Sequence, residues 1–311
     1  MGTVYDLQTA KRWLAGTFLY VRLGRNPEHY SLAGDVAGRS LDERIEQICQ
    51  RDINLLQDTQ LLSSENRLKS TEFGNAMARY YVTFDTMRIL LSLPPRAKLS
   101  EIVCHVSLVE AVYLLSQLSV LVQADEFREV RFRSGEKTLY KTLNSANGMK
   151  FPIQIDIAQS AQKRSIIIQA ELGGVEFPAD EQSGKHKRQY QQDKAILFNH
   201  IHRLIRCVID CLIHLQDGPA TRHALELARS LGARVWDNSP LQMKQVPSLG
   251  PVAVRKLVTA SVNSLEALEA TEAHRINMIL SKQHGFGEHI LSLLKSFPKL
   301  RVSVKSMGNV S

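Results

Sequence analysis

The chain has 311 residues, of which 44% are hydrophobic, and this size predicts a globular protein with two or three small cores. Its 39 Lys and Arg residues exceed its 31 Asp and Glu residues, and the formal charge of +8 favours an acidic partner such as nucleic acid. The four cysteines form no Cys-X-X-Cys pair and follow no secretory leader, which argues against a secreted disulfide scaffold and favours free thiols in the nucleus or cytoplasm.

Helical periodicity covers residues 4–20, and Asn26–Pro27 stops regular structure after it. A second helix is predicted over Leu41–Leu56, behind a Ser40 cap. The short segment 61–69 is compatible with a hairpin. This size and order of elements are typical of a winged-helix module.

One long helix is predicted from Thr71, its cap, to Leu93, because Pro94–Pro95 is a hard stop. Residues 125–145 have helical spacing, and Phe151–Ile157 alternates as in a short strand or linker. Strand and helix both fit Gln162–Leu172, and we favour a helix.

The most apolar segment, Ile102 to Val122, is interrupted by His105, Glu110 and Gln117. Polar and charged groups at bilayer depth are costly, so we expect a buried helix here and no membrane contact.

The longest clear helix is predicted over Gln189–Gln216, and Gly218–Pro219 ends it. Another helix follows over Ala220–Leu231, and a final unit runs from about Pro240 to Pro298. After that unit, Leu300–Lys305 resembles the first strand of a further region.

A helical wheel divides the long helix into an apolar half and a polar half. The polar half includes Asn199, Arg203 and Arg206, which are predicted to bind DNA because arginine contacts phosphates and stacks on bases. An ordinary solvated face explains the same pattern. The predicted buried positions are Leu197, Ile201, Leu204, Ile205, Val208, Ile209, Leu212, Ile213 and Leu215.

The spacing of Cys207, Cys211 and His214 on the same helix is compatible with metal ligands. No fourth ligand is apparent, and cysteine is often buried, so packing is the preferred interpretation and no metal site is predicted.

A helix-hairpin-helix pattern is predicted at Val246–Val252, where a helix opens at Pro251 behind a tight turn. Gly250 leaves room for a phosphate at the helix N-terminus, and Arg255 and Lys256 add positive charge. Ser248 stands where a first glycine is usual.

Catalytic signatures are not found in the sequence. The Gly184-Lys185 dipeptide lacks the glycine that a phosphate-binding P-loop requires, and without such a loop Asp125-Glu126 has no nucleotide to act on. We therefore predict no catalytic residues and no cofactor in this chain.

Several motifs together resemble the C-terminal region of Ski-two-like superfamily-two helicases, nearest to the meiotic crossover type. Residues 17–22 resemble the winged-helix entry, and three further motifs resemble the ratchet, or Sec-sixty-three, domain. Those three motifs are Thr71–Tyr81, Gln123–Phe127 with Arg131–Glu136, and Lys163–Gly173.

The resemblance implies part of an ATP-driven 3′-to-5′ DNA helicase that acts in meiotic crossover formation in the nucleus. Single-stranded or branched DNA and the motor domains in cis would be its partners, and ATP and Mg would bind those motors. Arg203 corresponds to a strand-contacting arginine of the ratchet helix, whereas Asp210 replaces a stacking aromatic found in some relatives. We expect Arg203→Ala to weaken DNA binding and to leave the fold intact.

The predicted organisation is mainly α: a winged helix over 1–70, a helical ratchet bundle over 71–238, a helix-hairpin-helix domain over 239–298 and a truncated strand-containing region over 299–311. Cys104–Val122 is interpreted as an insertion, either real or from a retained intron. The alternative function is a non-catalytic protein-interaction scaffold.

Overall fold

The structure is a computed structural model that describes residues 4–27, 29–30, 40–65, 67–93, 121–154, 156–237, 239–298 and 303. Within these ranges the secondary structure is helical, which confirms the mainly α fold, and the β pairing is limited to an antiparallel bridge between Leu62 and Ser70. The helix predicted over Ile102 to Val122, the insertion predicted over Cys104–Val122 and the strand predicted over Leu300–Lys305 lie outside the described residues, apart from positions 121, 122 and 303.

The described helices follow one another in this order: α1 (Leu7–Ala15), α2 (Phe18–Arg25), α3 (Leu41–Asp58), α4 (Glu72–Arg79), α5 (Phe84–Leu91), α6 (Lys137–Asn144), α7 (Ser160–Leu172), α8 (Glu181–Gly184), α9 (Lys187–His214), α10 (Gly218–Ala233), α11 (Pro251–Thr259), α12 (Leu265–Glu269), α13 (Ala273–Leu280) and α14 (Phe286–Lys295). Short 3-10 turns lie at Asp125–Phe127 and Pro240–Gln245. None of these helices is both long and apolar enough to cross a bilayer.

The chain forms two compact units. One consists of Met1–Gly135, Ile153–Ser165 and Arg188–Leu225, and the other of Glu136–Pro152, Ile166–Lys187 and Glu226–Ser311. The domain boundaries predicted from the sequence stay predictions.

The N-terminal segment contains two helices where the periodicity predicted one. Thr17 begins α2 in extended backbone, so the helical region over 4–20 is interrupted after Ala15. The predicted Ser40 cap of α3 is confirmed: its hydroxyl accepts from the Glu43 backbone N–H while the Glu43 carboxylate accepts from the Ser40 N–H. The hairpin predicted at 61–69 is reduced to the single Leu62–Ser70 bridge.

The prediction of one helix over Thr71–Leu93 is wrong. Thr71 does cap α4, but the chain turns at Tyr80 and Tyr81, and Thr83 caps a separate helix, α5. Gly74 has a packing role here, since a Cβ added to it would lie 2.1 Å from the backbone oxygen of Leu61.

Of the remaining predicted elements in this part of the chain, two helices are confirmed and two segments differ. The helical interpretation of Gln162–Leu172 is confirmed by α7, and the long helix is confirmed as α9, with 28 residues. The helical spacing over 125–145 corresponds only to a 3-10 turn and α6. The described residues of 151–157 form no strand.

The last four helices share one apolar core within the second unit. Its fully buried members come from the 3-10 turn at 240–245, from α11 to α14 and from the loops between them: Met243, Val246, Leu249, Val254, Leu257, Val262, Leu268, Ile276, Leu280, Ile290 and Leu294. These contacts fix the turn before α11 from both sides.

A buried ion pair joins α7 to α9 in the first unit. The Lys163 ammonium lies 2.7 Å from the Asp193 carboxylate, and both side chains are fully buried. Asp193 also accepts from Gln189 and contacts the half-exposed Arg133 at 3.1 Å. Because a buried charge is costly without partners, this cluster holds the long helix in place.

We predict that Lys163→Met lowers the free energy of unfolding by roughly 3–5 kcal/mol, because Asp193 then stays buried without its closest cation. Arg133→Met is the matched control and costs about 1 kcal/mol or less, since its side chain is 44% exposed. Urea denaturation of the two variants measures the difference. Equal losses would contradict the dominance of the buried pair.

Candidate nucleic-acid interface

The long helix α9 buries one side along most of its length. Of the nine apolar positions predicted to be buried, six are: Leu197, Ile201, Leu204, Ile205, Val208 and Leu212. Ile209 is half-buried, and the prediction is wrong for Ile213 and Leu215, which are 58% and 55% exposed in the last turn of the helix and just after it.

The opposite side of α9 is an exposed stripe made of Arg188, Gln192, Ala195, Asn199 and Arg206. The spacings of three, four and seven residues place these side chains on one face of a helix. Among the described residues no hydrogen bond or ion pair involves Arg206. The stripe therefore offers side-chain amides and the available guanidinium group of Arg206 on the same face.

Arg203 lies beside this stripe but is used inside the protein. Its Nη1 donates to the backbone oxygens of Tyr80, at 3.1 Å, and of Tyr81. Its Nη2 lies 3.1 Å from His200 Nδ1 and 3.8 Å from the carboxylate of Glu126. The prediction of a free Arg203 on a polar face is thus corrected, because the guanidinium has internal partners and the side chain is only 29% exposed.

The segment held by Arg203, residues 80–83, is hereafter called the tyrosine turn. Glu126 accepts from the Thr83 backbone N–H at 3.1 Å and from the Thr86 hydroxyl at 2.5 Å. Its side chain is only 3% exposed, so these contacts are shielded from water. Glu126 therefore fixes the end of the tyrosine turn where α5 begins.

Asp210 fixes the start of the same turn. Its carboxylate accepts from Arg79 at 2.6 Å and from the Tyr80 hydroxyl at 3.1 Å. Burial and the hydrogen bond to Asp210 raise the pKa of Tyr80, so the phenol stays protonated and donates. Asp210 is therefore a structural anchor of the turn.

The cysteines of α9 are packing residues. Cys207 and Cys211 are buried, and the Cys207 thiol contacts Met87. The hydrogen bond with Cys211 and burial raise the pKa of Cys207 above its ordinary value. His214 lies edge-on against Phe73. No group of three potential metal ligands occurs in the described part of the chain.

The predicted helix-hairpin-helix turn lies in the second unit. Gly250 is the N-cap of α11, Pro251 is its first residue, and nothing lies within 4 Å of a Cβ built on Gly250. Ser248, at the position where glycine is usual, has φ of +75°, the left-handed conformation that glycine adopts most easily. Ser248 therefore adopts the conformation that glycine would supply, and the helix-hairpin-helix assignment stays a prediction.

The two cations predicted near this turn differ. Arg255 donates to the Glu176 carboxylate at 2.6 Å and to the Gly174 backbone oxygen at 3.0 Å, so its guanidinium is engaged within the unit. Lys256 is exposed, and no hydrogen bond or ion pair involves it among the described residues. Gly250 and Lys256 are therefore the more accessible members of the predicted set.

The tyrosine turn, next to α9, is the part of the candidate interface that the sequence did not predict. No proline lies within residues 72–93, and the glycine of this segment, Gly74, lies inside α4, so neither residue type marks the turn. The tandem capping threonines, Thr71 and Thr83, are the available clue.

Two family models match the chain: the Sec63 Brl domain over residues 70–309 and a winged helix-turn-helix domain over residues 1–66. The chain is 33% identical over 312 residues to the ATP-dependent DNA helicase MER3 of Saccharomyces cerevisiae, covering 97% of the chain and 25% of that protein. It is 28% identical to the ATP-dependent DNA helicase homolog MER3 of Arabidopsis thaliana, and the match covers 98% of the chain and 26% of that protein. It is 26% identical to the probable ATP-dependent DNA helicase HFM1 of Homo sapiens, and this match covers 99% of the chain and 20% of that protein. The chain thus spans about a quarter of the length of these relatives, or less.

We predict that Arg203→Ala lowers the free energy of unfolding by roughly 1–2 kcal/mol, because the carbonyls of the tyrosine turn lose a charged donor. Arg206→Ala is the matched control three residues away, and its exposed side chain predicts a change within about 0.5 kcal/mol. Chemical denaturation measures both values. A neutral Arg203→Ala would contradict the anchoring role and restore the expectation of a free guanidinium.

Proposed function

Because the chain belongs to the Sec63 Brl family and aligns over nearly its whole length with MER3 and HFM1 helicases, we propose that it is the DNA-guiding, non-catalytic part of such an enzyme. The enzyme is an ATP-dependent 3′-to-5′ DNA helicase that acts in meiotic crossover formation in the nucleus. The motor domains in cis bind ATP and Mg and pull the DNA. Single-stranded or branched DNA is the ligand of this chain.

The observation that carries this proposal is the exposed stripe of α9. Arg206 supplies a charge for a phosphate, and Asn199, seven residues earlier on the same face, supplies amide donors and an acceptor. Arg203 contributes indirectly by holding the neighbouring turn. A helix whose other side is buried gives such contacts a rigid base.

The turn at Gly250 is a second, weaker contact in this proposal. Open space at Gly250 lets a phosphate approach the first N–H groups of α11, and the exposed Lys256 adds charge near them. Arg255 is assigned a smaller part, because Glu176 already neutralises it.

A protein-interaction scaffold remains the second candidate, and one observation favours it. Trp13, Phe18 and Val21 are 62%, 84% and 46% exposed on α1 and α2, an apolar content that suits a protein partner. Under this alternative, DNA binding would be negligible at physiological salt.

We predict that the chain binds a fluorescein-labelled oligothymidylate with an affinity that falls steeply as salt rises, with a log-log slope of several units. Arg206→Ala weakens binding and reduces the slope by about 0.7, the value for one lost phosphate contact on a single strand. Fluorescence anisotropy at four salt concentrations measures both.

Arg12→Ala, an exposed arginine on α1, is the control and leaves affinity and slope unchanged. Absence of salt-dependent binding by the parent chain would refute the DNA-guiding function and leave the scaffold. Equal slopes for parent and Arg206→Ala would remove Arg206 from the interface.

A further inference from the structure

Tyr81 is an aromatic side chain that the fold holds out into solvent. It is 80% exposed, and its backbone has φ of +50°, in the left-handed region that non-glycine residues rarely occupy. An exposed ring gains little burial energy, and the left-handed backbone costs stability. Packing therefore gives no reason for a tyrosine at this position.

The conformation of Tyr81 is determined by its surroundings. Arg203 donates to the backbone oxygens of Tyr80 and Tyr81, and Glu126 accepts from the Thr83 N–H. Asp210 holds the Tyr80 hydroxyl. Strained residues fixed by several independent contacts are concentrated at binding and catalytic sites. The tyrosine turn thus holds the exposed ring of Tyr81 on a fixed backbone.

The tyrosine turn contacts α9 beside the exposed stripe. Arg203, which contacts the Tyr81 backbone, lies four residues from Asn199 and three from Arg206, so all three belong to adjacent turns of the helix. Arg79, which precedes the turn, is 61% exposed and is paired with Asp210. An exposed aromatic ring on a turn held by α9, whose neighbouring stripe carries the available guanidinium of Arg206, has the composition of a single-stranded nucleic-acid site.

We infer that Tyr81 is a stacking platform for one base of single-stranded DNA whose backbone contacts Arg206. Every base has a π-face, so the platform accepts any base and fits a protein that guides DNA irrespective of sequence. Asp210 contributes to this site by anchoring the turn that presents Tyr81. The inference rests on the proposed DNA-guiding function and adds a base contact to its phosphate contacts.

The test compares an oligothymidylate with an abasic oligomer of equal length, which has the same phosphates but no bases. The parent chain binds the oligothymidylate more tightly. Tyr81→Ala weakens binding to the oligothymidylate by about 5- to 150-fold, the range for one lost stacking contact, and leaves abasic binding and the salt slope unchanged. Tyr81→Phe keeps the ring and retains the affinity of the parent within about 2-fold.

Phe18→Ala removes an aromatic ring that is 84% exposed on α2 and is the matched control, with no expected effect on either oligomer. A thermal unfolding midpoint of Tyr81→Ala equal to that of the parent chain shows that the variant keeps the fold. If the parent binds with steep salt dependence but Tyr81→Ala binds equally well, or weakens both oligomers alike, the stacking role is overturned while the DNA-guiding function stands. If the parent binds neither oligomer, the proposed function itself fails.

Discussion

The contact between the Arg203 guanidinium and the backbone of the tyrosine turn determines the local structure around the candidate interface. A guanidinium has five donors and no acceptor, so it suits a pair of adjacent carbonyl oxygens left without helical partners between α4 and α5. Glu126 balances its charge from a shielded position. Without this contact the turn has no charged donor, and Tyr81 has no reason to stay in a left-handed conformation.

Basic residues in this protein differ by what surrounds them. Lys163 is neutralised by Asp193, and Arg164 donates to two backbone oxygens while burial and the nearby charge of Arg131 lower its pKa to about 10. Such groups stabilise the fold. Arg206, by contrast, is exposed on the stripe, and no hydrogen bond or ion pair involves it among the described residues. The positive net charge is informative about an acidic partner only when the buried, partnered cations are distinguished from the exposed ones.

Much of the fold follows from local sequence patterns. Apolar periodicity predicted α9, and the Ser40 capping box predicted the start of α3, because both signals act over a few residues. The break between α4 and α5 depends instead on Arg203 and Asp210, more than a hundred residues away along the chain. No local propensity contains that information.

The same limit applies to the candidate interface. A helical wheel correctly separated a buried from a polar side of α9, yet it assigned Arg203, Arg206 and Asn199 one common role. The wheel gives the direction of a side chain but not its partner, and the partner decides whether an arginine anchors a turn or faces solvent. Tyr81 was unrecognised because its exposure results from the turn.

The account depends on single-stranded DNA lying along the exposed stripe beside the tyrosine turn. Ultraviolet crosslinking with an oligonucleotide that contains 4-thiothymidine, followed by mass spectrometry of the attached peptides, locates the DNA directly. The account predicts crosslinks in peptides that contain Tyr81 and residues 195–206. Crosslinks confined to α1 and α2, or the absence of crosslinks at a saturating DNA concentration, would contradict it.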